Sequence, residues 1–379
     1  MMLNILGAVL LIVGFYAAWR LAPKRPDAPA AGWFPDPASK SPRSRLWDGQ
    51  AWTARVTGGA ERANRGHHFR GRFWGRWVWS LAAALVVLGI GIAAYQATEN
   101  VHVMAVTSFL AMALVCWAFY GFVDRQLSLR DVIGLRQVAA VAVASAGATF
   151  LVALNLNDLT GSIGGISLAT ALVGFTEETA KLLVPIALFL LGTYRNPRAG
   201  VAIGLASGFG FAIAETTLYA YQTAAASGPA FCGGETPAVT TGSVIAAQVA
   251  RIFGVSPFHW LFTGIAVAIA WRAWHLYGRK GMPAAIGGIV LVMVVHSLND
   301  TSATLGCGEP TVQSLLAMVR YVLVIVMYLV FKAWTRKHTP PTMVGSVSKG
   351  WTPKHLGEQQ VSADEAPAQG DPAREPADG

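Results

Sequence analysis

Four apolar segments of this chain contain ionisable side chains of the kinds that activate water. The set comprises Glu177, Glu178, Lys181, Glu215, His259, His296 and Asp300. Each such group costs about 2.5–3.5 kcal/mol on insertion scales when it lies inside a membrane-spanning helix, so its presence needs a reason. Carboxylates can accept a proton from water, and histidines can bind a metal or donate to a developing oxyanion. These residue types therefore indicate a buried site that can perform hydrolysis.

The spacing of these residues gives each segment one polar face. Residues three and four apart lie on the same side of a helix, so Lys181 lies beneath Glu177 and Glu178. His296 lies beside Asp300 for the same reason. The lysine offsets part of the cost of the two carboxylates, which resist double ionisation in a medium of low dielectric constant. One Glu–Lys pair is as often structural as functional, whereas polar faces on four helices favour a shared site.

The composition predicts that membrane-spanning helices position these residues. Of 379 residues, 54% are hydrophobic and 13% are charged, against about 25% charged in an average soluble domain. A spanning helix needs about 20 mostly apolar residues. Nine stretches qualify, near 3–19, 77–97, 102–122, 137–154, 167–193, 199–223, 256–271, 283–304 and 312–331. We therefore expect an all-α polytopic membrane protein with about nine transmembrane helices, of which eight form a bundle and the first is an N-terminal anchor.

Changes of composition along the chain predict four regions. Residues 1–21 form the anchor, and residues 22–75 form a basic, Trp-rich cytoplasmic loop with a small domain at about 32–56. Residues 76–335 form the multi-helix membrane domain that contains the polar faces. The remaining 336–379 are rich in Pro, Ala, Glu, Asp and Gln, a composition that cannot bury enough apolar surface to order itself. We expect this segment to be a disordered cytoplasmic tail.

The positions of basic residues predict the orientation in the cell inner (plasma) membrane. Lysine and arginine accumulate on the cytoplasmic side, and the segment from Arg20 to Arg76 holds twelve basic and four acidic residues. We therefore expect the N-terminus outside, and the loop and the C-terminal tail in the cytoplasm. The net charge of +9 follows from this topology and from contact with anionic lipid headgroups, so no nucleic-acid partner is needed to explain it.

Orientation also bears on the cysteines and on the depth of the polar faces. Cys232 and Cys307 fall in loops predicted to lie outside, where a disulfide can persist, and both the bridged and the free state stay open. Cys116 lies inside a span and is expected to be a small core hydrophobe. Counting about 1.5 Å per residue from the outer helix ends places the polar faces in the outer half of the membrane, with His259 close to the outer mouth.

The order of these motifs resembles a known family. The motifs Glu177-Glu178-x-x-Lys181, Phe211-x-x-x-Glu215, His259 and His296-x-x-x-Asp300, on successive helices over about residues 105–335, resemble those of the PrsW intramembrane proteases. That family is related to the CAAX prenyl proteases and the bacteriocin-processing proteins. The resemblance implies an endopeptidase buried in the lipid bilayer that cuts a single-pass regulatory protein such as an anti-sigma factor. The predicted depth then places the cut near the extracytoplasmic end of the substrate.

The resemblance leaves two mechanisms open. In a metalloprotease, His259, His296 and Glu215 would bind Zn²⁺ and leave one position for water, as is typical of catalytic zinc. In the metal-free version, Glu177 or Glu178 would activate water directly. Asp300 would orient His296 in either case. The CAAX relatives usually have histidine at the position of Glu215, so their ligand set does not transfer directly.

Other readings of the same features also stay open. Intramembrane carboxylates and histidines also build proton relays, so an ion-coupled transporter is one alternative, and a catalytically inactive scaffold or sensor is another. Arg251 and Arg320 could either snorkel to the outer surface or counter a carboxylate, and snorkelling is the expected reading for both. The segment from Gly32 to Thr53 resembles a small domain of unknown function that is often attached to membrane proteins. It is expected to lie at the membrane surface or to bind a cytoplasmic partner.

Overall fold

The protein is a bundle of long helices with one small sheet. The computed structural model describes residues 2–22, 32–36, 43–47, 52–58, 75–127, 129–225, 239–302, 309–338 and 359–361. The helices are α1 (Met2–Leu21), α2 (Arg76–Thr98), α3 (Val101–Leu127), α4 (Leu135–Ala148), α5 (Leu154–Leu190), α6 (Pro197–Ala224), α7 (Thr241–Ala250), α8 (Ser256–Tyr277), α9 (Met282–Thr301) and α10 (Pro310–His338). Short π-helical segments, Thr149–Ala153 and Arg251–Val255, join α4 to α5 and α7 to α8.

Eight helical runs are long and apolar enough to cross a membrane, which confirms an all-α polytopic membrane protein. The run Leu135–Leu190 has 56 residues and would be about 84 Å long if straight, far beyond a hydrocarbon core of about 30 Å. It reverses at Gly165, where φ is +64°, a value that suits glycine. The Thr176 hydroxyl consequently donates to the side chain of Asn157, 19 residues earlier. This run is therefore long enough to cross the membrane twice. The eight helical runs then correspond to the nine predicted membrane crossings.

A four-stranded sheet lies outside the bundle. Its strands are β1 (Gly32–Pro35), β2 (Arg43–Trp47), β3 (Trp52–Gly58) and β4 (Gln359–Val361), in that order. The first three are antiparallel, and β4 from the C-terminal tail pairs in parallel with β3. The composition of the tail predicts disorder, whereas its residues Gln359–Val361 form a strand. Backbone pairing makes this possible because it requires no apolar side chains. The two strands can pair only if β3 and β4 lie on the same side of the membrane. An even number of membrane crossings between them agrees with this.

Helix α1, the predicted anchor, is one of the runs long and apolar enough to cross a membrane, and it packs against the bundle. Its small buried residues, Gly7, Gly14 and Ala18, face α4. A methyl group at Gly14 would collide with the backbone of Ala144, so the two helices touch backbone to backbone. The Tyr194 hydroxyl, in the turn after α5, donates to the Ala18 carbonyl at 2.7 Å. Burial raises the pKa of this phenol, which therefore stays a neutral donor.

Small residues also bring the site helices together. A methyl group at Gly208 of α6 would collide with the backbone of Trp260 in α8, and one at Gly174 of α5 would collide with the carbonyl of Met293 in α9. Such close approach is typical of helix packing in membranes. Cys116 is buried in the core as a free thiol, as expected, whereas Cys232 and Cys307 lie outside the described residues.

Candidate active site

The polar face of α5 lies at the centre of the bundle. Lys181 Nζ donates to Glu178 Oε1 at 2.8 Å and to Glu177 Oε2 at 3.3 Å, and all three side chains are buried. The helical spacing of three and four residues produces this contact, as the sequence predicts. Lys181 Nζ also lies 4.1 Å from the centre of the Phe211 ring, so its remaining face is covered by an aromatic side chain. The lysine therefore compensates two carboxylates that have no access to bulk water.

Glu178 is held from three sides. Its Oε1 lies 3.0 Å from His296 Nδ1 on α9, and its Oε2 accepts a hydrogen bond of 2.9 Å from the Thr263 hydroxyl on α8. Together with Lys181, these contacts engage both carboxylate oxygens. A carboxylate with both oxygens engaged and no exposed surface is better suited to hold its neighbours than to exchange protons with water.

His296 presents its other nitrogen to Glu177. The Nδ1 contact with Glu178 requires a proton on Nδ1, because an ionised carboxylate only accepts hydrogen bonds. In the neutral ring, Nε2 then carries a lone pair, and it lies 3.7 Å from Glu177 Oε2. Phe262 stacks on the imidazole with ring centroids 4.6 Å apart. The ring is thus fixed both by a hydrogen bond and by stacking.

His259 is arranged in the same way on the opposite side of Glu177. Its Nε2 lies 2.8 Å from Glu215 Oε2, and its Nδ1 lies 3.6 Å from Glu177 Oε2 and 3.1 Å from Lys181 Nζ. Sequence analysis placed this histidine close to the outer mouth of its span. The prediction is wrong because the helical run begins at Thr241, so His259 is buried well inside it.

Arg251 completes the chain of contacts behind His259. Its Nη2 lies 2.6 Å from Glu215 Oε2, and its guanidinium lies 3.5 Å from the centre of the Tyr219 ring. It belongs to the π-helical segment between α7 and α8, a distortion that is frequent at functional sites. The expectation that Arg251 snorkels to the surface is therefore wrong. Arg320 likewise donates to the Asn299 carbonyl at 3.0 Å and to Ser302 Oγ at 3.1 Å.

These contacts create a three-ligand set for a metal. One ligand atom each from Glu177, His259 and His296 lies within 4.8 Å of the others, and all three residues are buried. Two histidines and one glutamate are a known ligand set of catalytic zinc. Each histidine has its second nitrogen beside a carboxylate, Glu178 or Glu215, as metal-binding histidines usually do. The residues therefore fit a metal ion, with Glu177 in the place that sequence analysis gave to Glu215.

The comparisons with known proteins agree with this geometry. Residues 133–332 match the model of the PrsW family intramembrane metalloproteases, which is more than half of the chain. The chain belongs to this family. Residues 31–65, which include β1, β2 and β3, match a domain of unknown function named DUF2510. No curated protein and no solved structure matches the chain.

Membership of the PrsW family makes the protein a peptide hydrolase that acts on membrane proteins within the lipid bilayer, with a metal as cofactor. The multi-pass fold agrees with that activity. Six of the seven residues singled out from the sequence lie in contact around Glu177. They are Glu177, Glu178, Lys181, Glu215, His259 and His296.

Asp300 lies at the edge of this group. Its Oδ2 is 3.9 Å from His296 Nε2, its Oδ1 accepts a hydrogen bond of 2.8 Å from Asn299, and its side chain is 33% exposed. A separation of 3.9 Å exceeds a hydrogen bond, and His296 has its proton on the opposite nitrogen. Glu178 rather than Asp300 therefore orients His296 in this structure.

Sequence analysis missed Thr263 and did not assign a partner to Arg251. Thr263 lies four residues after His259, on the same helix face, and that spacing could have drawn attention to it. Arg251 was recognised as a basic residue, but its role depends on contacts between separate helices. Nothing in the local sequence indicates which carboxylate it faces.

Proposed function

We propose that this PrsW family protein cuts a single-pass regulatory membrane protein, of the anti-sigma-factor type, near the extracytoplasmic end of its transmembrane helix. The observation that carries the proposal is the convergence of Glu177, His259 and His296 in one buried group. The motif order resembles that of PrsW proteases, and residue counting along the predicted spans of Glu177, Glu215 and His296, though not that of His259, supports a site in the outer half of the membrane.

We assign Glu177, His259 and His296 as the metal ligands, with Zn²⁺ as the ion that this set suits best. When bound, such an ion polarises the scissile carbonyl and lowers the pKa of water. Binding at His259 Nδ1 requires Lys181 Nζ to leave that nitrogen, from which it is now 3.1 Å away. In the present position the same Nζ atom also donates to Glu177 and Glu178.

We assign Asp300 as the carboxylate that accepts the proton of the attacking water. Glu177 serves as a ligand in this arrangement, and Glu178 has both oxygens engaged. Asp300 Oδ2 lies 3.9 Å from His296 Nε2, the nitrogen that would bind the metal, and its side chain is 33% exposed. A carboxylate in this position lies beside the ligand group and would be able to accept a proton from a water held there.

The orientation and the regions of the chain complete the proposal. The inner membrane, with the N-terminus outside and both the Trp-rich loop and the tail in the cytoplasm, agrees with the basic residues of that loop. Residues 76–335 would form the protease domain. The small domain within the loop would bind a cytoplasmic partner, since its sheet lies outside the helical bundle.

The test uses purified protein in liposomes with a panel of single-pass membrane proteins. We expect cleavage by the wild type and by Glu99→Gln, a control that neutralises an exposed carboxylate outside the site. We expect no cleavage by Glu177→Gln or His296→Ala, each with a thermal melt showing intact folding. Elemental analysis should find about one zinc per chain in the wild type and less in both site variants.

Three outcomes would contradict parts of the proposal. Cleavage by both site variants would remove the buried group from the mechanism. Cleavage by a wild type that contains no metal and resists chelators would favour direct activation of water by a glutamate. Product ends that map to the cytoplasmic side of the substrate would overturn the proposed depth.

A further inference from the structure

The small sheet receives its last strand from the other end of the chain. Residues Gln359–Val361 pair in parallel with Arg55–Thr57, so β4 covers what is otherwise the outer edge of β3. An edge strand presents unpaired N–H and C=O groups to any extended segment, and many domains bind peptides in this way. The tail therefore already occupies the β3 edge as a peptide ligand would.

The occupant covers only part of this edge. Strand β3 has seven residues, Trp52–Gly58, and β4 pairs with three of them. A backbone hydrogen bond contributes about 0.5–1.5 kcal/mol net. A ladder of three residues would therefore be weak between separate molecules. Because β4 belongs to the same chain, its effective concentration at β3 exceeds that of a free peptide, and this makes such a contact populated. A longer segment that pairs along all of β3 would compete successfully with the tail.

Charge indicates the chemistry of the ligand. From Glu358 to the end, the tail carries six acidic residues and one arginine, whereas residues 22–75 carry ten basic and four acidic residues. Arg55 of β3 is itself exposed beside β4. Opposite charges on the two segments favour association and select against basic peptides.

We propose that the β3 edge is a binding site for extended acidic peptides, and that the chain's own C-terminal tail is its tethered ligand. An acidic cytoplasmic segment of a partner binds there by displacing β4 and extending the ladder toward Trp52. This site is separate from the buried hydrolytic group, and the inference does not depend on the chemistry proposed for that group.

The first test measures hydrogen exchange of the β3 amides in the full-length protein. In a parallel ladder, adjacent residues direct their N–H groups to opposite sides, so the double variant Gln359→Pro/Gln360→Pro removes at least one bonding donor whichever of the two residues faces β3. Gln359→Ala/Gln360→Ala is the matched control. We expect exchange in β3 to accelerate about tenfold in the proline variant and to stay unchanged in the alanine variant.

The second test adds a synthetic peptide of residues 354–366 to the proline variant. We expect the peptide to restore protection of β3, and a peptide with Glu358, Asp364 and Glu365 changed to lysine to restore much less. Equal protection in the wild type and the proline variant would show that the tail does not occupy the edge. Failure of the native peptide to restore protection would overturn the peptide site, and equal restoration by the lysine peptide would overturn its acidic preference.

Discussion

Replacing Arg251 with methionine should destabilise the protein strongly. Arg251 Nη2 lies 2.6 Å from Glu215 Oε2, and the two side chains are only 14% and 9% exposed. Removing one partner of a buried ion pair typically costs about 3–5 kcal/mol, because the other charge is left buried without compensation. Methionine keeps most of the side-chain volume and its contact with Tyr219. The loss should therefore come mainly from the charge of Glu215, which stays buried without a partner, and not from a cavity.

The same change should reduce activity through His259. Glu215 Oε2 lies 2.8 Å from His259 Nε2, and a Glu215 that gains a proton no longer holds the ring in one tautomer. Loss of such a carboxylate behind a metal-binding histidine typically costs about 10–100-fold in metal affinity or activity. We expect a loss of zinc affinity in this range, measured by competition with a fluorescent chelator.

A double-variant cycle separates the pair from general damage. Arg251→Met/Glu215→Gln leaves no buried charge at the pair, so it should recover a large part of the lost stability in detergent unfolding titrations. Arg320→Met is the matched control, since the described contacts of Arg320 in α10 are with a carbonyl and a hydroxyl. Arg251→Met with wild-type stability, or a double variant no more stable than that single variant, would refute the reasoning.

Three further predictions follow from the packing and the site. Glu178→Gln should weaken zinc binding about 10–100-fold in chelator competition, because it loosens His296, and should also lower the thermal melt, because Lys181 loses the charge of one of its two carboxylate partners; unchanged affinity would contradict this. Gly208→Ala should lower stability by about 1–3 kcal/mol by separating α6 from α8, whereas Gly89→Ala, with open space around it, should not; equal melts would contradict the close approach. Gly14→Leu should detach α1 from α4, and a cross-link between the two helices that still forms at the wild-type rate would refute this.

The sequence by itself determined the class of the molecule and singled out most of the side chains that the structure brings together around Glu177. Nine runs of about 20 apolar residues in a chain with 13% charged residues indicate membrane-spanning helices, and ionisable side chains within them are too costly to occur without a reason. The spacing of Glu177, Glu178 and Lys181 predicts their contact, because helical geometry decides which residues share a face. These inferences need only local geometry and the cost of burial.

The tertiary structure decided which groups meet across helices. Whether Glu177 or Glu215 joins the two histidines depends on how each helix is rotated about its axis. Close contacts at glycines determine these rotations, and the sequence of one segment does not reveal them. The role of Arg251 depends on a helical run that begins at Thr241, fifteen residues before the predicted span at 256–271. The pairing of β4 with β3 joins segments about 300 residues apart through backbone groups, which every sequence carries and which composition therefore cannot distinguish.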